Sequence, residues 1–178
     1  MQTNNIMVLQ KIFGMLLVLT GLYFVIAIGI VIIGLVIAVS YHIEQAKILG
    51  QRFGNNLEQI QSDLKNTSSS YESKYGMWKD KDLTDKEILD ATDTHIDDLT
   101  KIISRYNTLT PPQAFVPSVE LFKRSTQSQL ESIRLLKEWI ETGDNSTKIR
   151  SDEILQQSFE YETSAIDSFN AAKRGTTP

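Results

Sequence analysis

The sequence predicts an all-α protein: one N-terminal transmembrane helix followed by an antiparallel four-helix bundle. Three observations carry this. A long uncharged apolar run lies near the N-terminus, the 3.6-residue period of amphipathic helices recurs four times beyond it, and no strand-like alternation competes. Charge is divided just as sharply. Of 18 basic and 22 acidic residues, only Lys11 precedes Tyr41. The chain thus divides into a short tail (1–11), an anchor (12–40) and a water-facing domain (41–178).

The anchor contains the run 12–39, which holds no charge. At 1.5 Å per residue it reaches roughly 40 Å, more than a bilayer core requires and too short for two spans. It also exceeds the apolar region of a cleaved signal peptide. Ala38-Val39-Ser40 still has the small residues of a cleavage site, so a mature chain starting after Ser40 is the alternative. A type IV pilin start does not fit, because the charged residue before a cleavage glycine and the early Glu are missing. Gly14 and Gly21 are seven apart, as are Ala27 and Gly34, and Gly34 to Ala38 is a small-xxx-small step. Such faces let membrane helices approach closely, whether on a second copy or on a different membrane protein.

The first bundle helix is expected over 41–65, with Ala46, Leu49, Phe53, Leu57, Ile60 and Leu64 on one stripe. Gly50 and Gly54 are candidate kinks, and the polar stretch 66–70 is the expected stop. Thr84-Asp-Lys-Glu87 is a capping box and opens a second helix over 84–108, with Ile88, Thr92, Ile96, Leu99, Ile103 and Tyr106 inward. Pro111 and Pro112 interrupt it, and Thr110-Pro-Pro-Gln113 can open a single helical turn. A third helix over 118–142 takes Ser118 as N-cap and ends at Gly143. A fourth over 147–173 carries Leu155, Phe159, Ile166, Phe169 and Ala172 on one face. Near-equal lengths and reversing connections suit an antiparallel bundle, with a three-helix bundle on a stalk as the other arrangement.

Asn66-Thr-Ser and Asn145-Ser-Thr match the glycan-acceptor pattern, which matters only on an extracytoplasmic face. With 66–83 as a linker, both asparagines fall at the pole far from the membrane. Basic residues flanking the anchor are nearly balanced, so a short tail and one uncleaved span place the domain outside.

Chemistry is sparse. The chain has no cysteine, which excludes disulfide scaffolds and thiolate metal sites. Its acidic domain interleaves both signs of charge and offers no basic face for nucleic acid. His95 sits in the acidic run 90–98, but helical geometry turns Asp90, Asp93 and Asp97 outward and His95 toward the apolar arc. His42 and Glu44, two apart, point in different directions. No nucleophile elbow, phosphate loop or zinc-protease motif occurs, so neither a catalytic residue nor a metal site nor a cofactor is expected. The strongest contact candidates are Tyr71, Tyr75 and Trp78, with Met77 beside them, and Trp139 approaching the same pole.

The stretch 109–175 combines a Pro-Pro opening, a long helix, Thr142-Gly143-Asp144 and a second long helix. In this it resembles helical hairpins of microbial membrane-anchored or secreted bundle proteins of unknown function. The resemblance implies a bundle fold and no activity. An anchored bundle is also similar to chemoreceptor sensory domains, which lie between two spans. The expected function is a non-enzymatic accessory or scaffold domain held at the lipid bilayer beside another membrane or membrane-associated protein. The alternative is a tethered module that binds a small solute at its aromatic pole.

Overall fold

A computed structural model describes residues 48–175. By its contacts the chain divides into two compact units, Met1–Ile48 and Leu49–Pro178, and the second is the helical domain. It contains α1 (described over 48–79), α2 (Asp85–Tyr106), α3 (Val116–Thr142) and α4 (Asn145–Gly175), with a 3₁₀ turn at Gln113–Phe115. Among the described residues there is no strand. None of their helices is long and apolar enough to cross a membrane. The anchor expected over 12–40, with Gly14, Gly21, Ala27, Gly34 and Ala38, lies outside the described residues.

The four helices form a ring in chain order. Side-chain hydrogen bonds tie α1 to α2, α3 packs against both α2 and α4, and α2 and α4 do not meet. Phe53, Leu57, Ile60 and Leu64 of α1 are buried, as are Ile88, Leu99 and Tyr106 of α2 and Val119, Phe122, Ile133 and Leu136 of α3. At one end Phe115 of the 3₁₀ turn joins α1 to α4, its ring 5.5 Å from Phe53 and 5.0 Å from Phe169.

The first correction concerns α1. It does not stop at 65: the helix continues through Asn66-Thr-Ser-Ser-Ser and ends only at residue 79. Gly50 and Gly54 are likewise helical. The stripe that ends at Leu64 resumes one heptad later at buried Tyr71, and Thr67 occupies the inward position between them. Thr67 is polar because it bonds α2, so a residue that resembles a breaker in sequence serves as an interior contact. The helix closes in a Schellman motif: Lys81 N–H donates to Trp78 C=O (2.9 Å) and Asp82 N–H to Met77 C=O (2.8 Å). The left-handed position of that motif, usually glycine, is held by Lys81 at φ 68°.

The longer α1 also moves Asn66. It is an exposed mid-helix residue, some 13 positions before the helix end or roughly 20 Å along the axis. Asn145 opens α4. The two acceptor asparagines are therefore not grouped at one pole.

The capping box of α2 forms as the spacing requires, with Glu87 N–H on Thr84 Oγ1 (3.3 Å) and Thr84 N–H on Glu87 Oε2 (2.8 Å). These bonds hold the Glu87 carboxyl below its ordinary value. Ser118, expected as the α3 N-cap, lies inside the first turn and donates to Phe115 C=O (2.8 Å). The helix starts two residues earlier because Pro117 fits the first turn, where its missing N–H has no intrahelical partner to lose. Gly143 ends α3 at φ 72°, its N–H on Trp139 C=O. Asp144 then caps α4 through Ser146 N–H (2.9 Å).

The largest departure is α4. Its expected inward residues Phe159 and Ile166 are 49% and 46% exposed, whereas Thr147, Ser151, Ser158 and Ala165 are buried. Small residues at 151, 158 and 165 form a heptad seam on which α4 lies close to α3. At its Ser151 end two serines exchange bonds: Ser132 Oγ donates to Ser151 C=O and Ser151 Oγ to Ser132 C=O, both 2.9 Å. This seam rotates the apolar stripe of α4 away from the bundle axis and toward α1.

Candidate functional site: a cleft between α1 and α4

The rotation of α4 leaves α1 and α4 separated along their middle by a cavity of about 440 Å³. Its walls include Leu64, Ser68 and Tyr71 from α1 and Leu155 and Phe159 from α4; Ile133 and Leu136 of α3 form the back. His95 is the one α2 residue that reaches it. The tilted phenylalanines Phe53, Phe115 and Phe169 lie at one end of the α1–α4 face. At the other, Tyr75 lies close enough to Lys148 and Asp152 to feel both charges. A space of this volume, its exposed lining more apolar than polar, falls in the range of small-ligand sites.

His95 sits deepest. It is 5% exposed, with its ring parallel to Tyr71 at 4.6 Å. Tyr71 is itself fixed by a 3.0 Å hydroxyl bond to Thr92, whose hydroxyl also reaches Ile88 C=O. Burial lowers the His95 pKa to about 4 against the opposing pull of Asp98, so the imidazole is neutral at physiological pH. Its Nδ1 lies 3.2 Å from Thr67 Oγ1, which also reaches Asp98 Oδ2 at 3.5 Å.

A threonine, a histidine and an aspartate in contact invite comparison with a nucleophilic triad. The connectivity differs. In a triad the acid orients the base, whereas here both His95 and Asp98 bond to Thr67. Thr67 also lies within a helix, where backbone N–H groups are committed to carbonyls and none is free to hold an oxyanion. The cluster positions an imidazole and does not activate a hydroxyl.

The aromatic candidates form a ladder along α1. Tyr71 is buried and 6.4 Å from Tyr75; Tyr75 is 5.7 Å from Trp78; Trp78 meets Trp139 edge-on at 5.7 Å and 87°. Trp78 Nε1 donates to Asp85 Oδ1 (2.7 Å), and Lys148 lies 5.7 Å from the Trp139 ring. The four residues are thus brought together, with both indoles half-buried over the end of the bundle. Tyr71 and Tyr75 line the cleft, and Trp78 and Trp139 stand beyond it. Met77 remains exposed.

At the cleft mouth Lys65, Glu72, Lys148, Asp152 and Glu162 mix both signs, and Lys148 is paired with Asp152 (2.5 Å). The acidic face of α2 is turned outward: Asp93 binds Lys137 (2.6 Å), and Asp90 and Asp97 are exposed. Among the described residues no group of three or more His, Cys, Asp or Glu side chains is placed to hold a metal ion. Sequence reasoning placed His95 at the core edge but missed the cleft, because it assigned Phe159 to the core. The heptad spacing of Ser151, Ser158 and Ala165 was the signal that locates the true seam.

Comparison with protein-family models, with curated proteins and with solved structures finds no match.

Proposed function

We propose that this chain is a non-enzymatic, membrane-tethered recognition protein whose helical domain takes up a small ligand between α1 and α4. The run 12–39, long enough and uncharged, supplies the tether as a single span. The observation that carries the reading is the apolar cleft with one deep, neutral imidazole in its wall. A cleft flanked by aromatic contacts at both ends of the bundle suits a compact molecule better than a continuous partner helix.

The test is native mass spectrometry of the full chain purified in mild detergent, beside a Ser68→Phe variant that fills the cleft. The reading expects a small-molecule adduct on the wild type that the variant lacks. An identical adduct pattern in both proteins overturns it.

A second reading, an accessory or scaffold domain that docks another membrane-associated protein, is favoured by exposed Phe159 and Ile166. They lie seven apart on one face of α4. An Ile166→Ser variant, which leaves the cleft lining intact, that loses a co-purifying protein while keeping the adduct supports this reading.

A further inference from the structure

Of the buried side chains that line the cleft, one has a polar atom whose bonding is incomplete. A carboxylate only accepts, so the Thr67 hydroxyl directs its single proton to Asp98 and accepts a bond from His95 Nδ1–H. In the neutral ring this leaves Nε2 as a bare acceptor. Nε2 has no protein partner among the described residues. No fully buried side-chain nitrogen or oxygen among the described residues lacks one, so Nε2 is not sealed and opens onto the cleft that its ring lines. A residue 5% exposed with an open lone pair at the base of an apolar cavity is a built half-site.

Three properties of the complementary molecule follow. Its polar group must donate, because the free imidazole nitrogen accepts. Its body must be apolar, to cover Leu64, Leu136, Leu155 and Phe159. It must carry no net charge, because the inner wall of Leu64, Tyr71, Ile133 and Leu136 beside a neutral imidazole offers no counter-charge.

We infer that the α1–α4 cleft binds a neutral, compact amphiphile bearing a hydroxyl or N–H donor, which hydrogen-bonds to His95 Nε2. The inference rests on the cleft being a ligand site and specifies what that site selects. It differs from recognition at the aromatic pole, since Trp78 and Trp139 do not line the cleft.

The experiment uses the full chain in lipid nanodiscs with His42→Ala, so that His95 is the sole histidine. Indole is the probe with a neutral N–H donor, and indene is its counterpart of nearly the same shape without one. Binding is read from the ¹⁵N and ¹³C shifts of the His95 ring, which partition of the probe into lipid alone does not move. Saturable binding of indole about tenfold tighter than indene is expected, the worth of one such bond. It should be accompanied by a Nε2 shift that indole causes and indene does not. In the same nanodiscs His95→Phe, followed through the Phe159 ring signals, should bind both probes alike. Equal affinities for the wild type, with no selective Nε2 shift, overturn the donor requirement and leave the cleft as a ligand site. If neither probe moves the His95 or Phe159 signals, the cleft reading itself fails.

Discussion

The Tyr71 ring lies face to face with the His95 imidazole, 4.6 Å between centroids and 9° from parallel. That pair joins α1 to α2 at the wall of the cleft and covers one face of the imidazole. Tyr71→Ala is expected to cost about 3–5 kcal/mol, the usual range for removing a buried aromatic. Tyr71→Phe keeps the stack and loses only the bond to Thr92, which retains Ile88 C=O, so about 1 kcal/mol is expected. Urea unfolding of the two variants separates these values.

His95 makes stability depend on pH in a defined direction. Its folded pKa is about 4, against an ordinary 6.5. Between these values the unfolded chain binds a proton that the folded chain does not, so stability falls as pH drops from 6.5 toward 4. The full effect is on the order of 3 kcal/mol. Glu87 and Asp144, held below their ordinary values by capping bonds, lose their own contributions at still lower pH. Comparison with His95→Gln cancels those carboxylates. The difference in unfolding free energy between the two proteins should shift across this window and level off above pH 7.

Lys81 is the strained end of α1. A left-handed backbone costs a residue with a Cβ roughly 1 kcal/mol relative to glycine, and the Schellman bonds hold Lys81 there at φ 68°. Lys81→Gly should therefore stabilise the domain by about 1 kcal/mol in thermal or urea unfolding. The reverse holds at Gly143, also left-handed: Gly143→Ala meets no neighbouring atom and should destabilise by a similar amount through backbone strain alone.

The serine seam sets the spacing of α3 and α4. Ser132→Ala removes one donor while Ser151 C=O keeps its helical partner, so about 1 kcal/mol is expected. Ser158→Leu inserts a large side chain at a fully buried position and should cost more, about 1–3 kcal/mol, while forcing the helices apart. Calorimetric unfolding of both variants checks the ranking.

The helix count, the Thr84–Glu87 box and the Gly143 turn were legible in the sequence because each is a local signal whose meaning neighbours do not alter. The end of α1 was not. Asn66-Thr-Ser-Ser-Ser has the composition of a stop, and only the bond from Thr67 to a histidine 28 residues away explains why it stays helical. The face of α4 failed for the opposite reason. Apolar periodicity marked Phe159 and Ile166 as inward, whereas serine hydroxyls that satisfy themselves across α3 and α4 permit a closer seam than leucine or phenylalanine would. Tyr71 and Trp139 were recognised as members of one cluster, yet the cavity beside them depends on both errors being corrected.

The state of the His95 ring in the ligand-free chain tests the account most directly. Nitrogen-15 spectra of the full chain carrying His42→Ala, recorded between pH 4 and 8, report its tautomer and its titration together. The account predicts a single neutral form protonated at Nδ1 and bare at Nε2, persisting until the pH approaches about 4. A ring that titrates near 6.5, or that carries its proton on Nε2, would contradict it.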